Sequence, residues 1–129
     1  MEIISLSLDE DTLEKIDEIQ EEASFNGRSE LIRTAVENLH QDVEENQSLE
    51  GELNALIVAR HPHKKEQRIA HISHDFDDIV TTQLHSKLDG QNCLEVFHTQ
   101  GNADRVIEFY NRLEGSKHTE SVNLLPQNR

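Results

Sequence analysis

The chain holds one cysteine, Cys93, two prolines, one tyrosine and no tryptophan in 129 residues. A single cysteine excludes an internal disulfide and suits a reducing cytoplasm. Long hydrophobic runs are missing too. The longest, Ala55-Leu56-Ile57-Val58-Ala59, is far too short to span a bilayer. Met1-Glu2 begins an acidic segment where a secretory signal would need a basic one, so no signal peptide is expected. Positive charge is scarce throughout, and the formal net charge is -14. Through Glu45 only Lys15, Arg28 and Arg33 oppose 14 carboxylates, which leaves that stretch at -11. Hydrophobic content of 34% over this length supports one domain or two small ones, with no internal repeat.

What is present begins with alternation. In Glu2-Ile3-Ile4-Ser5-Leu6-Ser7-Leu8, a period of two sends Ile4, Leu6 and Leu8 to one face and Ile3, Ser5 and Ser7 to the other. Asp9 is placed to cap a helix whose apolar face is Leu13, Ile16, Ile19 and Ala23. Phe25-Asn26-Gly27 breaks it, since Asn and Gly tolerate left-handed backbone. A second helix from about Ser29 turns Leu31, Ile32, Ala35, Val36 and Leu39 inward and runs out near Glu44 to Asn46. One strand and two helices bury too little to stand alone, and an unpaired strand exposes its backbone groups. Antiparallel pairing with the same strand of a second chain answers both needs. Ile4, Leu6 and Leu8 then seal a homodimer, and Ile3, Ser5 and Ser7 form an exposed ribbon face that a DNA major groove admits.

This stretch resembles the ribbon-helix-helix repressors. Asn26-Gly27-Arg28-Ser29-Glu30-Leu31-Ile32-Arg33 is similar to their N-x-R-S-E-x-I-R signature. The resemblance implies that Ile3, Ser5 and Ser7 meet bases in double-stranded DNA, while Arg28, Ser29 and Arg33 position its backbone. Free N–H groups and the positive dipole end of a helix favour a phosphate there. The -11 charge poses a conflict: either this module avoids DNA, or it works in strong salt, where the Debye length falls to about 3 Å. Concentration of the acids on the first helix, away from the ribbon, favours the second reading, a halophilic protein.

Residues 1–46 are therefore expected to form one domain, 47–52 a polar linker broken by Gly51, and 53–129 a second domain. A strand runs from Leu53 to Arg60, and Pro62 introduces a helix from about Lys64 to Phe76. Ile79 to Leu88 reads as a strand, Asp89-Gly90 as a two-residue hairpin turn, and Cys93 to Gln100 as the return strand. A helix follows to Gly115, carrying Val106, Ile107, Tyr110 and Leu113 inward, and a last strand ends at Pro126. The fold class is α+β, with β-α-β-β-α-β order giving a ferredoxin-like second domain of one sheet and two helices.

Donors for a metal gather in that domain. His74 lies on its first helix, and His85 and Cys93 flank the turn, nearly opposite each other if the loop has two residues. Imidazole and thiolate suit nickel, copper, zinc or cobalt. Taken singly, each histidine has a structural reading as well, and Cys93 is a small apolar residue. A ribbon-helix-helix module joined to an ACT-type domain is similar to the nickel-responsive regulator family, NikR. His74-Asp75-Phe76-Asp77-Asp78 is similar to its H-D-x-x-D, and the segment from Leu84 to Val96 to its L-H-V-H-L-D-x-x-x-C-L-E-V. The resemblance implies a homotetramer through the second domains and a square-planar nickel site. His74 of one subunit would join His85, a second strand histidine and Cys93 of its neighbour. Lys87 occupies the place of that second histidine. An ammonium has no lone pair to give a metal. At about 4 Å and an effective dielectric near 20, it repels a dication by about 8 kcal/mol.

His71 and His98 are further candidates, with an exposed position expected for the first and the opposite sheet face for the second. His61, His63, Lys64, Lys65 and Arg68 form the basic-leaning cluster, read as a solvated face or an auxiliary phosphate contact. The expectation is a cytoplasmic metal-responsive transcriptional regulator binding a two-fold symmetric operator. Its effector is nickel by resemblance, with zinc or cobalt as alternatives. Lys87 leaves open a regulator answering another ligand or a protein, and an antitoxin-like scaffold is a third reading. An enzyme is not expected: His85, Cys93 and Asp89 lack an accompanying oxyanion donor or Gly-rich loop.

Overall fold

The computed structural model describes residues 1–127, in two compact units that divide between Glu45 and Asn46. The first unit contains α1 (Glu10–Ala23) and all but the last two residues of α2 (Arg28–Gln47). Asp9 caps α1, accepting from the Thr12 amide at 2.8 Å, and that bond holds its carboxyl below the usual range. The left-handed residue that ends the helix is Ser24 (φ 57°, ψ 36°), not Asn26 or Gly27 as the sequence suggested. The reversal is needed directly after the last helical turn, two residues before that Asn-Gly pair begins. Asn26 and Gly27 instead open α2. The Asn26 amide donates to the Glu30 carboxylate at 3.1 Å, and the Leu31 amide to the Gly27 carbonyl at 3.2 Å.

Only Ile16 and Leu31 are buried in this unit. Ile19, Val36 and Leu39, all expected inward, are exposed, as are Ile4, Leu6 and Leu8. Residues 1–9 form neither strand nor helix in the single chain. A β-ladder needs a second strand, and the described residues of this unit supply none.

The second unit is a four-stranded antiparallel sheet in the order β2-β3-β1-β4, built from β1 (Glu52–Pro62), β2 (Val80–Lys87), β3 (Asn92–Asn102) and β4 (Ser121–Pro126). With α3 (Glu66–His74) and α4 (Ala103–Glu114) between them, this is the expected ferredoxin-like order. Period two is clean on the central strands: Leu53, Ala55, Ile57, Ala59 and His61 of β1 are buried, as are Cys93, Glu95, Phe97 and Thr99 of β3. The helices close over this face with Ile69, Ile72, Val106, Phe109 and Leu113. Phe109 stacks on Phe76 at 4.7 Å between ring centres and meets Phe97 edge-on at 5.0 Å.

Several boundaries depart from the sequence reading. β1 continues two residues past Arg60, to Pro62, before a 3-10 turn at His63–Lys65, and α3 ends at His74 with Phe76 in the following turn. Gly101 lets β3 pass Ile79, because a Cβ there would lie 2.6 Å from the Ile79 Cγ2. Asn102 then caps α4, accepting from the Asp104 amide at 2.9 Å.

The hairpin is longer than two residues. The last ladder pair is Lys87 with Cys93, and the Leu88 amide donates to the Asn92 carbonyl at 2.9 Å. Asp89 is the cause. Its side chain accepts from the amides of Gln91 and Asn92 at 2.8 and 2.9 Å, folding three residues into the loop. The pairings from Thr82 to Lys87 move accordingly, and an irregularity between Val80 and Thr82 shifts the register back at Val80 and Thr99.

Candidate functional site

That register decides which donors meet. His85 stands opposite Glu95 rather than Cys93 or Leu94, and Cys93 stands opposite Lys87 and, on its other side, His61. Cross-strand partners share a sheet face, so His61, His85, Cys93, Glu95 and Lys87 all project from the helix-bearing side. Three of them converge. Ligand atoms of His61, His85 and Glu95 all lie within 4.8 Å of one another. The Glu95 Oε1 is 3.3 Å from the His61 Nε2 and also contacts the His85 Nδ1. Gln83 donates to the second carboxylate oxygen, Oε2, at 3.0 Å.

His61 corrects the sequence reading most plainly. It was placed on a solvated basic face and is fully buried. The signal that could have found it is the alternation of β1 itself, which after Leu53, Ala55, Ile57 and Ala59 reaches His61 in one more step. Glu95 has the same signature, lying between the buried Cys93 and Phe97. His63, by contrast, is half-exposed, with its Nδ1 3.6 Å from the Glu66 carboxylate and 3.6 Å from the Cys93 Sγ. The other oxygen of Glu66 lies 3.6 Å from the His85 Nε2. Burial, together with the Glu66 and Glu95 carboxylates, pushes the Cys93 thiol up, while Lys87 pulls it the other way.

The chain does not bring His74 to this cluster. It ends α3 in the open, 80% exposed, with its Nδ1 3.0 Å from the Asp77 carboxylate. His71 is exposed and His98 lies on the helix-free face, where its ring nitrogens meet the Thr81 hydroxyl at 2.7 Å and the Asn54 side-chain oxygen at 3.2 Å.

In the first unit, Ile3, Ser5 and Ser7 are exposed along the unpaired segment. Arg28, Ser29 and Arg33 line a cleft of about 560 Å³ with Ile3, Ile4 and Leu6. Arg28 pairs with Asp17 at 3.1 Å, both more than half exposed, so this guanidinium remains accessible to a phosphate.

The comparisons with known proteins match the two units separately. The profile of the ribbon-helix-helix protein family of CopG type matches residues 2–42, and that of the NikR C terminal nickel binding domain matches residues 55–126. The chain belongs to the NikR family. This is a family of transcriptional regulators and not of enzymes. A relative from Methanocaldococcus jannaschii, provisionally named a nickel-responsive regulator, is 35% identical over 96% of this chain and 90% of its own. Another of the same provisional name, from Haloarcula marismortui, is 29% identical over 95% of this chain and 91% of its own. Among solved structures, an uncharacterized protein of Thermotoga maritima superposes with a TM-score of 0.50 at 11% identity. It covers 62% of this chain and 100% of its own, a likeness of fold alone. The α+β class expected from the sequence, a ribbon-helix-helix module followed by a ferredoxin-like domain, is thus the class of this NikR-family chain. No helix among the described residues is long and apolar enough to cross a membrane.

Proposed function

We propose that this NikR-family chain is a cytoplasmic, metal-responsive transcriptional regulator. It works as a homodimer through residues 2–8, binds a two-fold symmetric operator, and forms a homotetramer through the second unit. The observation that carries the reading is the first segment, which offers alternating apolar and small polar residues with no strand among the described residues of its own unit to pair with. In the dimer, Ile4, Leu6 and Leu8 turn inward, Ile3, Ser5 and Ser7 read base edges, and the start of α2 places Arg28, Ser29 and Arg33 at the backbone. The tetramer rests on the helix-free sheet face. Leu84 and Leu125 are 60% and 47% exposed there, beside Leu56 and Val96, a patch suited to a second copy.

The effector is a transition-metal ion, held in the second unit. Buried imidazole and carboxylate donors fit such an ion, which when bound supplies positive charge that draws those donors together. Lys87 favours a change from the four-donor nickel site of the resemblance, in which it stands at one corner. Acid-rich helices and relatives from Haloarcula marismortui and Halobacterium salinarum support work in strong salt. The test is DNA selection from random duplexes with purified full-length chain in molar potassium chloride, before and after chelation. Protection of two symmetric half-sites that requires metal is expected. Sequence-specific binding unaffected by chelation would reject the metal-responsive reading, and no binding at any salt would reject the regulator.

A further inference from the structure

The fully buried His61 poses a problem of lone pairs. Its Nδ1 lies 2.8 Å from the Pro62 carbonyl oxygen, which can only accept, so Nδ1 carries a hydrogen. A neutral ring then has its lone pair on Nε2, and that atom faces the Glu95 carboxylate at 3.3 Å. That contact is satisfied in one of two ways: by a second ring proton, which makes His61 an imidazolium paired with Glu95, or by a metal ion held between the two atoms. The same Glu95 oxygen also meets the His85 Nδ1. Three ligand atoms from three strands therefore converge, two ring nitrogens on one carboxylate oxygen.

We infer that His61 Nε2, His85 Nδ1 and Glu95 Oε1 form a three-ligand site for a zinc-class divalent ion, complete within one subunit. The inference rests on the metal-responsive reading above and names the ligands differently from the resemblance. Ligands about 2.1 Å from a tetrahedral metal lie about 3.4 Å apart; His61 and Glu95 stand at 3.3 Å, while His85 Nδ1, in hydrogen-bond contact with the same oxygen, must separate from it to admit the ion. The surroundings have the form expected around metal ligands. One histidine donates its other ring N–H to a backbone carbonyl, and the carboxylate's free oxygen is held by Gln83. Two imidazoles, one carboxylate and an open fourth position suit zinc or cobalt. Cys93 stands outside the converging set, with Lys87 across the ladder from it. Neither the thiolate nor His74 of another subunit is then required, and the position held by Lys87 supplies no ligand.

Cobalt(II) chloride titration of the chelated full-length protein, followed by absorption and by mass, tests this. The expected result is one cobalt per chain with ligand-field bands and no sulfur-to-cobalt charge-transfer band. His61→Gln, His85→Ala and Glu95→Gln should each weaken binding on the order of a hundredfold or more, since even supporting groups cost 10–100-fold. Cys93→Ser and His74→Ala should leave it unchanged. His85 sits on the edge strand, so its variant reports on the ligand without emptying the core. Retained affinity in any one of the three ligand variants would overturn the site. So would a charge-transfer band, or loss of binding in Cys93→Ser or His74→Ala, though the metal-responsive reading would survive these. Wild-type protein that binds no cobalt or zinc would overturn both.

Discussion

The two units of this chain solve the burial problem in opposite ways. The second encloses Phe76, Phe97 and Phe109 within its own sheet and helices and carries a formal charge of only -3. The first buries just Ile16 and Leu31, leaves Ile4, Leu6, Val36 and Leu39 in the open, and carries -11. One unit contains its core, and the other contains half of one. The hydrophobic effect stabilises a fold only for the area it removes from water. By that measure the first unit must acquire its stability from association, and its self-repulsion must be screened as well. Dependence on a partner suits a DNA-binding module: in the proposed dimer, the two-fold symmetry that would complete the core would also fix the spacing of two reading heads.

A substitution in each unit should break this contrast if it is wrong. Leu6→Asp places a charge where the two ribbons would meet, and should abolish dimerisation and DNA binding altogether while leaving the melting of the second unit in place. Phe109→Ala should do the reverse, costing the second unit about 3–5 kcal/mol by opening a cavity between Phe76 and Phe97. Analytical ultracentrifugation and calorimetry of both variants in molar salt would separate the outcomes. A Leu6→Asp chain that still dimerises through its first 46 residues would remove the ribbon from the account.

The fold was open to reading because its signals are local and periodic. An apolar run of strand length marked β1, spacing of three and four marked the helices, and Asp89-Gly90 marked the reversal from β2 to its return strand β3. The ligand set was less legible, since it depends on one residue of register. Asp89 looked like half of a two-residue turn, but its carboxylate gathers two backbone amides and lengthens the loop, which moves Glu95 opposite His85. His61 was misplaced for a related reason. Arg60 and Pro62 looked like the end of a strand, although the alternation carries on through them and buries the imidazole between. The exposure of Ile19 and Leu39 belongs to a third class, because a face covered by a second chain, as the proposed dimer would cover this one, has the same pattern as a face buried in its own.

Within the first unit, the division between reading and positioning gives a smaller effect. Ser5→Ala should change preference at particular base pairs by about 1–3 kcal/mol, the worth of a good groove contact. Arg28→Ala should weaken all sequences alike and lower the salt dependence, because a phosphate contact carries no base information. Competition binding against a panel of single-base operator variants distinguishes the two patterns. Equal indifference to both substitutions, with the dimer intact, would detach DNA reading from this surface.

The smallest effect sharpens the comparison from the self-contained side. Arg105 donates to Asp78 at 3.1 and 3.0 Å and to the Asp75 carbonyl at 2.6 Å, lies 4.1 Å above the Phe76 ring, and leaves Arg112 to pair with the Asp75 carboxylate at 2.9 Å. These guanidiniums hold the carboxyls of Asp75 and Asp78 below the usual range. A depressed carboxyl binds its proton less readily folded than unfolded. Its contribution is therefore present above the unfolded value near 3.9 and is lost as pH falls through the folded one. Both pairs are solvent-exposed, so the contribution is slight. Asp75→Asn/Asp78→Asn should melt slightly below wild type at pH 7, and the gap should close as pH falls below about 3.9, where both wild-type carboxyls take up protons. Measuring the melting temperature of both proteins across that range decides it. A gap that widens toward acid would mean that these aspartates strain the turn after α3 instead of tying it to α4.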